Sequence, residues 1–236
     1  LTEATVSDQH VATRGGTDAA ASELKEPVMP GRISIDLFTS LDGVAQAPGG
    51  PDEDTDDGFA FGGWQAPLIG SADGAQVDAG IQSMDALLLG RRTYDIFASY
   101  WPHQLDGAES GIARKFDAIP KYVASRGAPE LGWRGSHLLG RDLAAEVQSL
   151  RDRHQDVHVI GSIDLARTLV AENLFDQLNL WVYPIVLGAG KRLFPVDGAP
   201  VALTLLGAEA PSEKGAVLLR YGPTGRAPAT GDMTVD

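Results

Sequence analysis

Twice in this chain a short apolar run stops at glycine and passes straight into a helical pattern. The first copy is Leu87-Leu88-Leu89-Gly90-Arg91-Arg92-Thr93-Tyr94 and the second is Val157-His158-Val159-Ile160-Gly161-Ser162-Ile163-Asp164-Leu165. Each run reads as a buried strand, so each motif is a strand-to-helix turn with a small residue at its apex. Free backbone N–H groups and the positive end of the helix dipole converge at such a turn, and the missing side chain lets an anion come close. The first copy adds two arginines. A chain with both turns is equipped to hold a ligand with several phosphates, and a dinucleotide fits that description.

Composition narrows the field. The chain has 236 residues, room for one domain with tails, and no cysteine, so disulfides, thiolate metal sites and thiol catalysis are excluded. Its formal net charge is −13, from 32 acidic against 19 basic residues, which opposes nucleic acid and anionic lipid as partners. A polyanion must therefore enter a local basic pocket. The apolar runs are strand-sized, far short of a membrane span.

Residues 1–30 lack aromatic residues, lead through Pro27-Val28-Met29-Pro30 to Gly31 and read as a flexible N-terminal arm. They carry no secretory leader pattern, and the leading Leu1 implies a natural start further upstream. The domain spans 31–223 and a C-terminal tail 224–236. Its first strand, around Arg32–Phe38, leads into a long loop from Thr39 to about Gly70 that holds Phe59, Phe61 and Trp64. A loop of this length with aromatic residues reads as a lid or pocket wall, which makes Trp64 a candidate substrate contact.

Helix and strand then alternate: a helix at about 73–84, the Ala86–Leu89 strand, a helix from Arg91 to about Tyr100, a strand at Ile119–Ala124, a helix at 142–152 opened by Asp142, the Val157–Ile160 strand and a helix at Asp164–Ala171. Strands at Leu178–Val186, Val201–Ala208 and Ala216–Tyr221 close the chain, with no helix between the last two. The pattern predicts a three-layer α/β/α sandwich around a mixed, mostly parallel sheet with an antiparallel C-terminal edge.

On the first turn, Gly90, Thr93 and Arg91 are placed to meet phosphate oxygens, and Arg92 to point elsewhere. Positive charge at a helix N-terminus opposes the dipole, so a bound anion accounts for it better than a solvated surface does. Ser125 and Arg126, just past the carboxyl end of a strand, suit a ribose 2′-phosphate and so NADPH rather than NADH. Gly161, Ser162, Ile163, Asp164 and Leu165 form the second turn, with Asp164 a candidate N-cap. The full G-x-G-x-x-G fingerprint is absent. The acidic run Asp52–Gly58 lacks the glycine and glutamate spacing of a calcium loop, and the histidines show no zinc spacing. No G-x-S-x-G elbow marks a hydrolase.

These stretches, in this order, resemble the dihydrofolate reductase fold, and specifically the family grouped with the C-terminal reductase domain of the bifunctional riboflavin biosynthesis protein. The resemblance runs from about Arg32 to Tyr221 through Thr39-Ser40-Leu41-Asp42-Gly43, Asp85–Tyr94, Lys121–Arg126, Val159-Ile160-Gly161-Ser162 and Tyr183–Phe194. Ser162 departs from it, standing where the family commonly has glycine.

The resemblance implies a stand-alone bacterial, cytoplasmic reductase. Gly90, Arg91 and Thr93 would lie on the phosphates of NADPH, Ser125 and Arg126 at the adenosine 2′-phosphate, and Gly161–Leu165 under the pyrophosphate and nicotinamide ribose. It also implies a homodimer and a small heterocyclic substrate, pterin-like or ribosylaminopyrimidine-like, with no nucleic acid, membrane or metal involved. A flavin or quinone-like acceptor, or a non-catalytic NADPH-binding interaction protein, are the alternatives.

The proton donor is less legible. Asp42, expected to face the nicotinamide pocket, is the candidate, against its reading as a plain turn aspartate before glycine. Asp73 and Asp78 lie on the helix where dihydrofolate reductases keep a substrate-binding carboxylate, and Asp78 is taken as a substrate candidate. Lys191 and Arg192 either meet an anionic substrate, as a ribityl phosphate would require, or are solvated.

Overall fold

Leu87, Leu88 and Leu89 are all fully buried, which a strand achieves only with both of its faces covered. That requirement sets the architecture. The computed structural model describes residues 30–233, so the arm expected over residues 1–30 lies outside the described residues, Pro30 excepted.

An eight-stranded sheet carries the domain. Its strands are β1 (Arg32–Ser40), β2 (Ala86–Gly90), β3 (Lys121–Ala124), β4 (Ser136–Leu138), β5 (Asp156–Val159), β6 (Gln177–Tyr183), β7 (Leu203–Ala208) and β8 (Val217–Pro223), in spatial order β4-β3-β2-β5-β1-β6-β8-β7. Pairings from β4 through β6 are parallel, and β8 runs antiparallel to both β6 and β7. The expected mixed sheet with an antiparallel edge is thus found.

Two apolar layers flank the sheet because alternate strand residues face opposite ways. Ile33, Ile35, Leu88, Val157 and Val159 pack on Val147 and Leu150 of α4 (Leu143–Arg153) and on Leu165 and Leu169 of α5 (Ile163–Ala171). Leu87, Leu89 and Val123 pack the other way, on Ile81 of α1 (Ser71–Ser83), Tyr94 of α2 (Arg91–Tyr100) and Phe116 of α3 (Ser110–Ala118). Each fully buried leucine contributes about 2 kcal/mol relative to an exposed one. Asp142 caps α4 as expected, accepting from the N–H of Ala145 at 3.1 Å. Among the described residues no helix is long and apolar enough to cross a membrane.

Two elements go beyond the sequence reading: α3, which buries Ala113 and Phe116, and β4, a short strand held by its pairing with β3. The long loop also differs from a free lid. Val44, Ala47, Phe59 and Trp64 form a third core with Trp181 and Tyr183 of β6 and Leu218 of β8, so this segment is anchored to the sheet with only a single 3-10 turn, Asp56–Gly58, of its own.

Candidate functional site

The two glycine turns are neighbours. β5 returns to lie between β2 and β1, and from there β2 feeds α2 on one face of the sheet while β5 feeds α5 on the other. Such a switch in direction opens a crevice beyond the carboxyl ends of the strands, the usual ligand position in open α/β sheets. The Gly90 N–H donates to the Gly161 carbonyl at 3.0 Å. A Cβ on Gly90 would stand 2.1 Å from Ser162 Oγ, and one on Gly161, where φ is +134°, would stand 2.7 Å from Thr93 Oγ1. Neither glycine can be replaced without moving its neighbour. The Gly161–Ser162 peptide is cis.

The helix starts differ. α2 opens without a side-chain cap among the described residues, so its first N–H groups are left for a ligand or solvent. In α5 the cap is Ser162, whose Oγ accepts from the Leu165 N–H at 3.5 Å. The cap is not Asp164, which lies inside the first turn and pairs with Arg167 at 3.0 Å. The Leu165 side chain is buried among the α5 core residues. It supports the turn from beneath.

From this crevice a cavity of about 380 Å³ runs down between the sheet and α1–α3. Thr93, Gly161, Ser162, Ile163 and Asp164 stand at its mouth, Ile81, Met84, Phe97 and Phe116 form apolar walls, and Asp36 and His158 lie on the sheet beneath. Phe97 and Phe116 stack with ring centroids 5.8 Å apart. Gln46, Glu53 and Asp54 from the long loop close one side.

Several expected residues fall elsewhere. Arg91 turns to Asp95, its Nε 2.7 Å from the carboxylate, and does not border the cavity; Arg92, expected to point away, does border it and pairs with Asp56. Ser125 and Arg126 follow β3 beside Gly90, whose register partner is Ala124. The Ser125 Oγ accepts from the Gly127 N–H at 3.1 Å, while Arg126 is exposed with no ion pair or hydrogen bond among the described residues.

Asp42 is a structural turn residue. Its carboxylate accepts from Ser40 Oγ at 2.7 Å, from the N–H groups of Leu187 and Gly188 at 3.0 and 2.9 Å, and from Arg192 Nη2 at 3.1 Å. Burial alone would raise its pKa, yet these four donors outweigh that and hold it well below the usual carboxylate range. It does not border the cavity, and a carboxylate so thoroughly engaged has no proton to give. Trp64 is 5% exposed, donates to the Gln46 carbonyl at 2.8 Å and packs on Tyr183, so it is core and not a substrate wall. Asp78 is exposed on α1 and takes a hydrogen bond from Gln82, away from the cavity. Asp73 is buried and caps α1 by accepting from the Gly70 N–H at 2.9 Å.

The sequence reading missed the polar group on the cavity floor. His158 Nδ1 lies 2.5 Å from Asp36 Oδ2, and Asn179 Nδ2 donates to Asp36 Oδ1 at 2.7 Å. His158 Nε2 sits 3.3 Å from Asp156 Oδ1, at ion-pair distance but without hydrogen-bond geometry. Burial disfavours the imidazolium, but the Asp156 and Asp36 carboxylates overcome it and push His158 up to about 9. The available signal was His158, a polar residue inside a run that reads as a buried strand.

A family model for the RibD C-terminal domain matches residues 32–217. The chain belongs to the RibD C-terminal domain family. Membership supports a reductase role. This RibD-type chain is 27% identical over 167 residues to YyaP, an uncharacterized protein of Bacillus subtilis, covering 69% of this chain and 80% of YyaP. Among solved structures it is similar to a putative riboflavin biosynthesis protein from Shewanella sp. PV-4, with a TM-score of 0.62, 19% identity, and 82% of this chain and 99% of that one covered. It is also similar to dihydrofolate reductase from Enterococcus faecalis complexed with NADP(H), with a TM-score of 0.53, 13% identity, and 83% and 98% covered. These two likenesses show that the chain shares its fold with both proteins.

Proposed function

We propose that this RibD-family chain is an NADPH-dependent reductase that transfers hydride to a small heterocyclic acceptor. The observation that carries the reading is the abutting pair of glycine turns, each closed to any side chain, at the mouth of an apolar-walled cavity. When bound, the cofactor would supply hydride from C4 of its nicotinamide.

The residues fit that group. Gly90, Thr93 and the uncapped start of α2 would hold one phosphate, and Gly161 to Ile163 would lie under the pyrophosphate and nicotinamide ribose. Arg126, unengaged by other side chains, is free to meet a 2′-phosphate, with Ser125 beside it. Arg91 would have to leave Asp95 to take part. The apolar walls exclude water from the acceptor end. With Asp42 committed elsewhere, the Asp36–His158 pair is the group that holds a proton, between Nδ1 and Oδ2, at the cavity floor. The same reading takes the working unit as a homodimer.

Arg126→Ala is the test with a specific signature. Loss of one charge-assisted contact should weaken NADPH by roughly tenfold and leave NADH nearly unchanged, as read by fluorescence titration of both coenzymes. Equal weakening of the two would remove the 2′-phosphate assignment.

A further inference from the structure

The cavity floor is polar where a parallel sheet is ordinarily apolar. Register brings Ser34 beside His158 and Asp36 beside Asn179 on the face toward α1. Asp36 uses one lone pair on each oxygen for Asn179 and His158, and a carboxylate oxygen has two, so both oxygens retain acceptor capacity at the cavity. Glu53 adds another acceptor. Its Oε2 takes the N–H groups of Gly49 and Gly50 at 2.7 and 3.2 Å, whereas Oε1 has no partner among the described residues. Trp181, 6% exposed, borders the cavity, and its indole Nε1–H is buried without a partner among the described residues. The set presented to a ligand is thus two acceptors among apolar walls.

The cations of the cavity are already engaged. Lys191 Nζ lies 2.6 Å from Asp54 Oδ2 and 2.9 Å from Asp56 Oδ2. Arg92 pairs with Asp56 and approaches Asp54 at 3.9 Å. His158 stands between Asp36 and Asp156. Arg192, next along from Lys191, is tied to Asp42 and to the Gly188 carbonyl at 2.7 Å and does not border the cavity. A phosphate on the acceptor would have to break one of these pairs and then sit near carboxylates, a cost that no free cation among the described residues lining the cavity offsets.

Resting on the reductase reading, we propose that the acceptor is an uncharged, flat, nitrogen-containing ring with N–H groups and no phosphate, its N–H edge on Asp36 and Glu53. Ile81, Met84, Phe97 and Phe116 cover the faces of such a ring. The anionic side of the cavity then selects by charge, and the phosphorylated form of the same ring is excluded.

The test uses the full chain and two pairs of probes: riboflavin against flavin mononucleotide, and a ribosylaminopyrimidine against its 5′-phosphate. Binding is read by quenching of Trp101 and Trp181 emission, first without NADPH and then with it. In at least one pair the unphosphorylated member should bind tenfold or more tightly than its phosphate. Equal or tighter binding of the phosphorylated member, or binding of none of the four, overturns the proposal. Asp36→Asn and, independently, Glu53→Gln should each weaken the unphosphorylated ring several-fold while NADPH affinity is kept; a ring affinity unchanged in both contradicts the assignment. NADPH oxidation is followed separately by nicotinamide absorbance, so failure of turnover counts against the reductase reading and leaves the binding comparison intact.

Discussion

Two kinds of turn leave the carboxyl edge of this sheet, and they spend their polar groups in opposite ways. After β1, the Asp42-Gly43 turn folds back on its own chain: the carboxylate is consumed by Ser40, Leu187, Gly188 and Arg192. After β2, the turn at Gly90 leaves the start of α2 open, while after β5 Ser162 caps α5 and only the glycine at its apex stays bare. The α2 start has no side-chain cap, and a Cβ on Gly90 or Gly161 would strike Ser162 or Thr93. A polar group saturated by the protein stabilises the fold; one left unsaturated at a crevice is available to a ligand. The difference separates scaffold from site more reliably than residue type does, since the aspartate is the chemically more suggestive residue.

The largest effect expected from breaking this contrast comes at the open turn. Gly90→Ala drives a methyl group into Ser162 and should reduce NADPH affinity by roughly a thousandfold, about 4 kcal/mol, as measured by calorimetry on folded protein. A merely connecting turn would lose stability with affinity intact.

Asp42→Ala should do the reverse. Stranding several buried or half-buried donors costs about 3 kcal/mol in urea unfolding, while turnover per folded molecule changes less than threefold, a rough bound for a residue remote from the chemistry. A large fall in kcat at unchanged stability would restore Asp42 as proton donor.

The pH response sharpens the comparison at the cavity floor. Since the folded protein raises His158 from 6.5 to about 9, its contribution to stability is complete below pH 6.5 and is lost as the pH rises through 9. The loss should be about 3 kcal/mol, and urea midpoints for His158→Gln should lack it. Smallest of all, Asp78→Ala should change stability and NADPH binding by less than about 0.5 kcal/mol, as expected for an exposed helical position. A substantial loss of acceptor binding in that variant would return Asp78 to the site.

Legibility in the sequence followed the range of the interactions involved. Leu87 to Leu89 declared a doubly buried strand, Asp142 declared a helix start, and both glycine turns were readable because strand, apex and helix are contiguous. The choice between Arg91 and Arg92 was not local. It depends on Asp95 one helical turn away and on Asp56, brought in by a loop more than thirty residues earlier. Asp42 was ambiguous for the same reason, as its partners lie some 145 residues along the chain. Asp36 and His158 were overlooked because a polar residue at an alternate strand position looks solvent-facing until the sheet order puts β5 against β1. The β4 strand had no signal at all, being short, partly exposed and defined by pairing with β3.

Calorimetric titration of the intact chain with NADPH addresses the account most directly. Saturable one-to-one binding in the micromolar range or tighter, with an enthalpy that disappears in Gly90→Ala, is the predicted result. No heat of association with correctly folded wild-type protein, at any coenzyme concentration in the millimolar range, would contradict it.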